Sequence, residues 1–171
     1  NGVEMGRIQL NENPSGIFAG GHLNTDGVTG VADKYTFYTN IVVGHTSLVT
    51  ASERLAACGC STYGLFGGGG DIGNTVFLAN TNKYTYADNT RIAGTTLTTG
   101  RHSLVACSNN DVGIFCGGCL GNNLPTQIVA TIQTYTFATS VVATSASVLS
   151  QARYVSGACG NALVGVITGG I

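Results

Sequence analysis

Charged residues are scarce in this sequence. Lys, Arg, Asp and Glu make up 9% of the 171 residues, against about 25% in an ordinary soluble domain. The net charge is −1 and the seven Lys and Arg are scattered, so the basic patch of a nucleic-acid-binding protein is missing. Hydrophobic content is nevertheless 43%, which excludes a disordered polymer. We expect no nucleic-acid partner, and little repulsion between copies packed in an assembly.

Long apolar runs and helical patterns are missing as well. No apolar stretch approaches the ~20 residues that a helix needs to span a bilayer, and no signal-peptide pattern is present. We therefore expect no membrane insertion. No segment of about 12 residues keeps apolar positions at helical spacing without interruption by Gly or clustered Thr. We expect no helix longer than about two turns.

The sequence instead contains an internal repeat. A Tyr-Thr-aromatic phrase occurs three times, at intervals of 49 and 51 residues, and a phrase ending in Gly-Gly occurs four times with a similar spacing. A period near ~50 in glycine-rich, strand-like units is typical of propeller blades. The copies are Lys34–Phe37, Lys83–Tyr86 and Thr134–Phe137 for the first phrase, and Gly16–Gly21, Gly64–Gly68, Gly113–Gly118 and Gly165–Gly170 for the second.

These units predict an all-β fold in a single domain over residues 1–171. We divide it into a partial unit 1–21 and three repeats, 22–68, 69–118 and 119–170, about three and a half units in all. Each complete unit is expected to be a four-stranded antiparallel blade. The four strands are represented by Arg101–Cys107, which is predicted to be innermost, Val112–Cys116, Asn82–Tyr86 and Thr90–Leu97.

The repeats can be aligned closely. Cys58, Cys107 and Cys159 each lie ten residues after a Leu, and a Gly follows each Cys by six residues. Length variation therefore falls in the connections 21–34, 68–83 and 118–134. Insertions in repeat folds gather on one face, which is often the binding face, so these loops are the candidate binding segments.

The aromatic-Gly-Gly turn, the following Tyr and the repeat length resemble kelch repeats over essentially the whole chain. The form with Tyr-Thr-Phe, a Leu, an Arg and then Ala-Cys is similar to divergent kelch-like repeats in bacteriophage virion or tail proteins and bacterial surface proteins. The chain departs from the kelch pattern because it has no Trp. The resemblance implies a kelch-like β-propeller in a virion or at the cell surface, with other virion or appendage subunits, further copies of itself, or a host glycan or receptor as partners.

Three cysteines share one position on the predicted innermost strand. Cys58, Cys107 and Cys159 follow small residues, and a small buried hydrophobe is the favoured interpretation. A metal-binding ring is the alternative, but no His or carboxylate recurs with them. We predict that all three are buried and unpaired with one another. A disulfide needs a Cα separation of about 6 Å, and equivalent positions in adjacent blades usually lie farther apart than that.

Cys116-Gly117-Gly118-Cys119 is a C-x-x-C motif. Such a pair can form a redox disulfide or half of a zinc site. Redox cysteines need a helix N-terminus and structural zinc needs two more ligands, and the sequence offers neither. A local disulfide or two free thiols is expected.

Histidines and a glycine run give no catalytic signature. His22, His45 and His102 share no repeat position and are expected on the surface or in loops, and a hydrolase triad has no Gly-x-Ser-x-Gly support. The run Gly67–Asp71 lacks the Lys-Ser/Thr of a phosphate loop and the alternating carboxylates of a calcium loop. It is expected to serve a tight turn with positive φ.

Arg and Tyr recur in register. Arg101 and Arg153 are expected to brace neighbouring blades through backbone carbonyls or a carboxylate, with acidic-ligand recognition as the alternative. Their slot in the first unit holds Ser52, and Arg54 is the expected stand-in because it would share a strand face with Ser52. The Tyr of each unit is expected in the blade core with a bonded hydroxyl, with sugar stacking as the alternative. These residues are Tyr35, Tyr84 and Tyr135.

The residues favour a protein that is not an enzyme and has no catalytic, cofactor or metal residue. We expect a structural or adhesive module of a virion, such as a tail fibre or decoration protein, or of a bacterial surface appendage. A carbohydrate- or receptor-binding propeller is the alternative, followed by a propeller hydrolase or oxidase. Propellers close with ~4–8 blades, so this segment is expected to belong to a larger propeller or to cover its open ends with copies of itself or another subunit.

Overall fold

The computed structural model describes residues 14–24, 27–71, 73, 75–122 and 126–171. This part of the chain is all-β, with no helix. The strands are β1 (Ser15–Ala19), β2 (His22–Leu23), β3 (Gly27–Val28), β4 (Ala32–Thr36), β5 (Ile41–His45), β6 (Ala56–Gly59), β7 (Tyr63–Gly67), β8 (Thr81–Thr85), β9 (Arg91–Gly94), β10 (Val105–Ser108), β11 (Val112–Cys116), β12 (Thr131–Thr136), β13 (Val141–Val148), β14 (Gly157–Gly160) and β15 (Gly165–Thr168).

The strands form several small antiparallel sheets that follow the repeat. The first sheet has the order β1-β4-β5, the second β6-β7-β8-β9, the third β10-β11-β12-β13 and the fourth β14-β15, while β2 and β3 form a separate hairpin. The second and third sheets have the four antiparallel strands predicted for a complete unit. The sheets do not coincide with the repeats counted from the sequence. Repeat 69–118 contains the last two strands of the second sheet, β8 and β9, and the first two strands of the third, β10 and β11.

Register follows the repeated phrases. Gly16 pairs with Tyr35, Gly64 with Tyr84, and Gly113 with Tyr135. Residues directly opposite each other in an antiparallel pair point to the same face, so each of the first three sheets sets a Gly beside a Tyr. That face of the second and third sheets packs on the sheet before it.

The first strands begin later than predicted. The sequence suggested a strand over 101–107, whereas β10 covers Val105–Ser108. Ser103 has a φ of 53°, which is left-handed backbone that ends a strand. Arg101 therefore lies on the segment that leads into the strand. First strands of successive sheets still lie side by side, since β10 contacts both β6 and β14.

The hydrophobic core lies between the sheets. One cluster fills the space between the second and third sheets, and a smaller one fills the space between the first and second. The buried members are Ala56, Tyr63, Leu65, Leu97, Leu104, Phe115, Tyr135 and Phe137 in the larger cluster and Ala32, Leu48, Phe66 and Tyr84 in the smaller.

Candidate functional site

One end of the sheets carries most of the connecting segments; we call it the loop face. It consists of the Gly-Gly turns, the second-to-third-strand connections and the segments 46–55, 95–104 and 149–156. In the first three sheets the second turn glycine donates its N–H to a carbonyl of the segment that follows its sheet. The bonds are Gly21 to Ser52, Gly69 to Arg101 and Gly118 to Arg153, each 2.9 Å long.

The glycine turns need positive φ and close backbone approach, as predicted for the run Gly67–Asp71. Gly68 has a φ of 74° and Gly69 a φ of 99°. A Cβ on Gly68 would lie 2.7 Å from the Arg101 carbonyl oxygen. Asp71 ends the run by accepting hydrogen bonds from the N–H groups of Thr75 and Val76 at 2.7 and 3.0 Å, so its carboxylate is occupied by the loop itself.

A backbone ladder crosses the loop face from one unit to the next. Arg54, Ser103 and Val155 occupy equivalent positions and have φ values of 57°, 53° and 54°. The N–H of Ser103 donates to the Arg54 carbonyl at 2.8 Å, and that of Val155 to the Ser103 carbonyl at 3.0 Å. Positive φ is unusual for Val, so no residue preference signals these positions in the sequence.

The charges of the loop face meet at Glu53, and we call His22, Glu53 and Arg54 the Glu53 cluster. Glu53 is buried. One carboxylate oxygen lies 2.8 Å from His22 Nδ1 and the other 3.3 Å from Arg54 Nε. The two basic side chains are each about half exposed. Since the buried carboxylate is paired on both oxygens, its position is fixed by the two partners.

His102 holds the position equivalent to Glu53 and lies in a connecting segment, as expected, but it is buried rather than at the surface. Its ring stacks on Phe77 at 5.2 Å. Burial lowers its pKa below 6.5, as does Arg54, against the opposing effect of Glu53. His22 is exposed as expected, and His45 is half-buried at the end of β5.

His102 does not form a hydrolase triad with its neighbours. Nδ1 is 2.9 Å from Ser103 Oγ, and Nε2 has no hydrogen-bond partner in the described part of the chain. A triad needs a carboxylate on the nitrogen opposite the nucleophile. No carboxylate in the described ranges hydrogen-bonds to this ring, so the geometry offers no activated serine here.

A groove of about 250 Å³ opens between the first and second sheets, and we call it the Lys34 groove. Lys34 Nζ donates to Asn89 Oδ1 at 2.7 Å and to the Tyr86 carbonyl at 3.4 Å. His45 Nδ1 accepts the N–H of Thr46 at 2.8 Å, so the neutral ring carries its proton on Nε2. Burial and Lys34 lower the pKa of His45 below 6.5. The lining residues are Lys34, Thr36, Val43, Gly44, His45, Thr46 and Asn89.

The repeated arginines bind backbone carbonyls. Arg101 is buried, and its Nη1 donates to the Gly117 carbonyl and to Thr131 Oγ1, each at 3.0 Å. Arg153 Nη1 reaches the equivalent Gly169 carbonyl at 3.3 Å. Each brace is therefore made within one sheet, so the expectation that these arginines link neighbouring blades is wrong. Arg54 is not the stand-in we expected, because its positive φ takes it off a strand and its Nε faces Glu53.

The repeated tyrosines are mostly core residues. Tyr84 and Tyr135 are fully buried, and Tyr35 is half-buried. The Tyr84 hydroxyl donates to the Thr46 carbonyl of the preceding unit at 2.9 Å. Tyr35 donates instead to Asn40 within its own sheet, at 2.6 Å. The hydroxyls of Tyr84 and Tyr35 therefore reach partners, as expected. The buried hydroxyl of Tyr135 has no hydrogen-bond partner in the described part of the chain, so the expectation is wrong for this tyrosine.

The three aligned cysteines are unpaired, as predicted, but only Cys107 is buried. Cys58 is half-buried and Cys159 is exposed, which corrects the prediction for these two. Burial raises the pKa of Cys58 to about 12. The thiols of Cys58 and Cys107 pack against the next sheet, whereas Cys159 lies on the last described sheet and has no such neighbour.

Cys116 and Cys119 are buried free thiols and form no disulfide. Burial raises the pKa of Cys116 to about 12, and Cys119 Sγ donates to the Gly121 carbonyl at 2.8 Å. Of the two outcomes that the motif left open, free thiols are the one found. Within the described residues no group of three or more His, Cys, Asp or Glu side chains is arranged to hold a metal.

No protein-family model matches this sequence, and no curated protein matches it. In the described part of the chain there is no helix with the length and apolarity to cross a membrane.

Proposed function

We propose that the chain is a non-enzymatic structural or adhesive module with kelch-like β-propeller blades, and that it belongs to a virion or a bacterial surface appendage. Its loop face would present variable connections to a protein partner or a host surface. The single observation that carries the proposal is the repeated joint between units. The N–H of a turn glycine donates to a carbonyl of the following segment in three successive sheets. The N–H groups of Ser103 and Val155 likewise donate to the carbonyls of Arg54 and Ser103.

Such a joint favours a rigid platform. Each second-to-third-strand connection is tied to the segment that follows its sheet through backbone atoms, which do not depend on the identity of the loop side chains. Loops can then vary in sequence without loss of the scaffold, which is how binding loops are usually supported. The first strands β6, β10 and β14 lie side by side, as the innermost strands do when sheets are arranged around a common axis.

The location is tested with antibodies against the purified chain. Gold-labelled antibody is applied to particles and to intact cells of the native source and viewed by electron microscopy. We expect label on virions or on the cell exterior, and label confined to the cell interior would contradict the proposal. The architecture is tested by an experimental map, in which sheets that do not share an axis along their first strands would exclude a propeller.

A second candidate function is carbohydrate binding, and the Lys34 groove favours it. The ammonium of Lys34 lines about 250 Å³ together with Thr36, Thr46 and Asn89. His45 also lines this space, but its Nε2 atom is buried. These groups suit an acidic sugar. Its carboxylate would form an ion pair with Lys34, and its hydroxyls would hydrogen-bond to the other polar residues that line the groove.

Saturation-transfer NMR with glucuronic acid tests this function, with glucose as the neutral comparison. Lys34→Gln should abolish transfer from glucuronic acid. Lys83→Gln is the matched control, since Lys83 holds the equivalent position but lies 3.8 Å above the Tyr63 ring. Equal transfer in both variants, or none with the unchanged chain, would rule the groove out as an acidic-sugar site.

A further inference from the structure

Neighbouring sheets interlock through a cysteine and a glycine. A Cβ built on Gly113 of the third sheet would lie 2.7 Å from the Sγ of Cys58 on the second sheet and 3.1 Å from Phe137. The same distance, 2.7 Å, separates a Cβ on Gly165 of the fourth sheet from the Sγ of Cys107 on the third. Because glycine has no side chain, it leaves a slot in which the thiol of the preceding sheet fits.

A second interlock is polar and recurs beside the first. Asn82 Oδ1 accepts the N–H of Val49 at 2.8 Å, and Gln133 Oε1 accepts the N–H of Thr98 at 2.9 Å. Each amide reaches from its sheet to the segment that follows the preceding sheet. Both amides are buried, so these bonds contribute to specificity as well as to attraction.

The first sheet carries one half of this interface, and no sheet of the described residues packs on that half. Gly16 and Phe37 repeat the slot of Gly113 and Phe137, but the three atoms nearest to a Cβ built on Gly16 are carbons of Phe18 and Phe37, at 3.6 to 3.7 Å, rather than a thiol of another sheet. Phe18 is 64% exposed, whereas its equivalent Phe66 is 5% exposed. Asp33 stands where the second and third sheets have the Asn82 and Gln133 acceptors.

The fourth sheet carries the other half. Cys159 is exposed, although it is equivalent to the two thiols that fill slots. Val166 is 48% exposed, whereas its equivalent Leu65 is completely buried. Ser150, equivalent to the donors Val49 and Thr98, is exposed too.

We propose that a second copy of this chain docks head to tail, with the fourth sheet of one copy packed on the first sheet of the other. Cys159 enters the slot at Gly16, the N–H of Ser150 donates to Asp33, and Val166 covers Phe18. This rests on the proposed propeller function, because it extends the packing between units across a molecular boundary. The net charge of −1 leaves little repulsion to overcome.

Such a contact is heterologous, because the two surfaces that meet are different parts of the chain. A heterologous contact closes into a ring when its rotation permits and otherwise propagates into a filament. Both products contain the same pair of faces. The observable is therefore the residue pair at the contact, not the number of copies.

A disulfide trap tests the pair. Gly16→Cys places a second thiol at the slot, and diamide oxidises two adjacent thiols to a disulfide while it is itself reduced. We expect oligomers on a non-reducing gel, joined between position 16 of one copy and Cys159 of another, as mapped by mass spectrometry. Thr139→Cys is the matched control, an exposed strand-turn position outside the interface, and it should yield no specific bridge to Cys159.

An internal bridge separates failure of this contact from failure of the proposed fold. Gly165→Cys should form a disulfide with Cys107 inside one copy, given the 2.7 Å approach of a Cβ at position 165. If this bridge forms and the one at position 16 does not, self-docking is wrong and the packing between units stands. A bridge from position 16 to Cys159 inside one copy would also overturn self-docking. Failure of both bridges would contradict the packing on which the proposed function rests.

Discussion

Glycine in each second strand sets how closely neighbouring sheets approach. Gly113 and Gly165 lie in extended strands, outside the region of positive φ, so neither is required by backbone conformation. Their role is the space that they leave for Cys58 and Cys107. A side chain at either position would push directly on a sulfur atom of the preceding sheet.

Gly113→Ala should destabilise the fold by about 1–3 kcal/mol, the usual cost of overpacking. The introduced methyl would lie 2.7 Å from Cys58 Sγ. Cys58→Ala in the same chain should recover part of the loss, giving a coupling of about 0.5–3 kcal/mol in a double-mutant cycle. Urea denaturation measures all four free energies of unfolding.

Gly44→Ala is the control for this substitution, since a Cβ at Gly44 has no neighbour within 4 Å. Its effect should stay within about 0.5 kcal/mol. The slot has no energetic importance if Gly113→Ala and Gly44→Ala lower the free energy of unfolding equally. The same holds if the effects of the substitutions at 58 and 113 on that free energy are additive.

Two histidines make stability depend on pH. Burial lowers the pKa of His102 and of His45 below 6.5 in the folded chain. The unfolded chain therefore binds protons first as the pH falls, and stability present above pH 6.5 is lost progressively below it. The free energy of unfolding should be lower at pH 5.5 than at pH 7.5, as followed by urea denaturation at both values.

His102→Gln isolates the contribution of the loop-face histidine. This variant should lose less stability between pH 7.5 and pH 5.5 than the unchanged chain, whatever its stability at pH 7.5. Arg54 and Glu53 act on His102 in opposite directions, and the net shift is downward. An unchanged pH dependence would show that the buried ring does not titrate as inferred.

At the scale of elements, the strands that contain repeated phrases could be predicted from sequence. The repeated phrases and their Gly-Gly ends located the second and third strands, and no helix forms in the described residues. The first strands were placed too early because the left-handed backbone at Ser103 is held by its bond to Arg54 of another unit. The local sequence around Ser103 gives no indication of a contact with a residue in another unit.

The candidate site was less predictable for the same reason. Burial of His102 depends on Phe77, which comes from a connection 25 residues earlier in the chain. The pairing of Glu53 with His22 spans 31 residues. Cys159 shares the motif of Cys107, yet its exposure depends on whether another sheet follows. Sequence register identifies equivalent positions, whereas burial depends on what each position faces.

Hydrogen exchange should separate the inner sheets from the outer ones. Strands β7, β8 and β11 carry mostly buried or half-buried residues, whereas every residue of β15 except Ile167 is exposed. Local opening is easiest where few apolar contacts are buried. Amides of β15 should exchange much faster than those of β11 in mass-spectrometric measurements on dilute protein, and equal protection would contradict the described packing.

At the scale of the whole molecule, assembly should depend on the apolar face of the first sheet. Phe18 is 64% exposed, so Phe18→Lys should leave the fold intact while placing a charge in the proposed interface, where an unpaired buried charge is costly. Leu163→Lys is the matched control, because Leu163 is 92% exposed in the turn between β14 and β15 and lies outside the contact. Sedimentation velocity should show oligomers for the unchanged chain and the control, and monomers for Phe18→Lys. A monomeric unchanged chain would contradict self-association, and oligomers in all three would place the contact elsewhere.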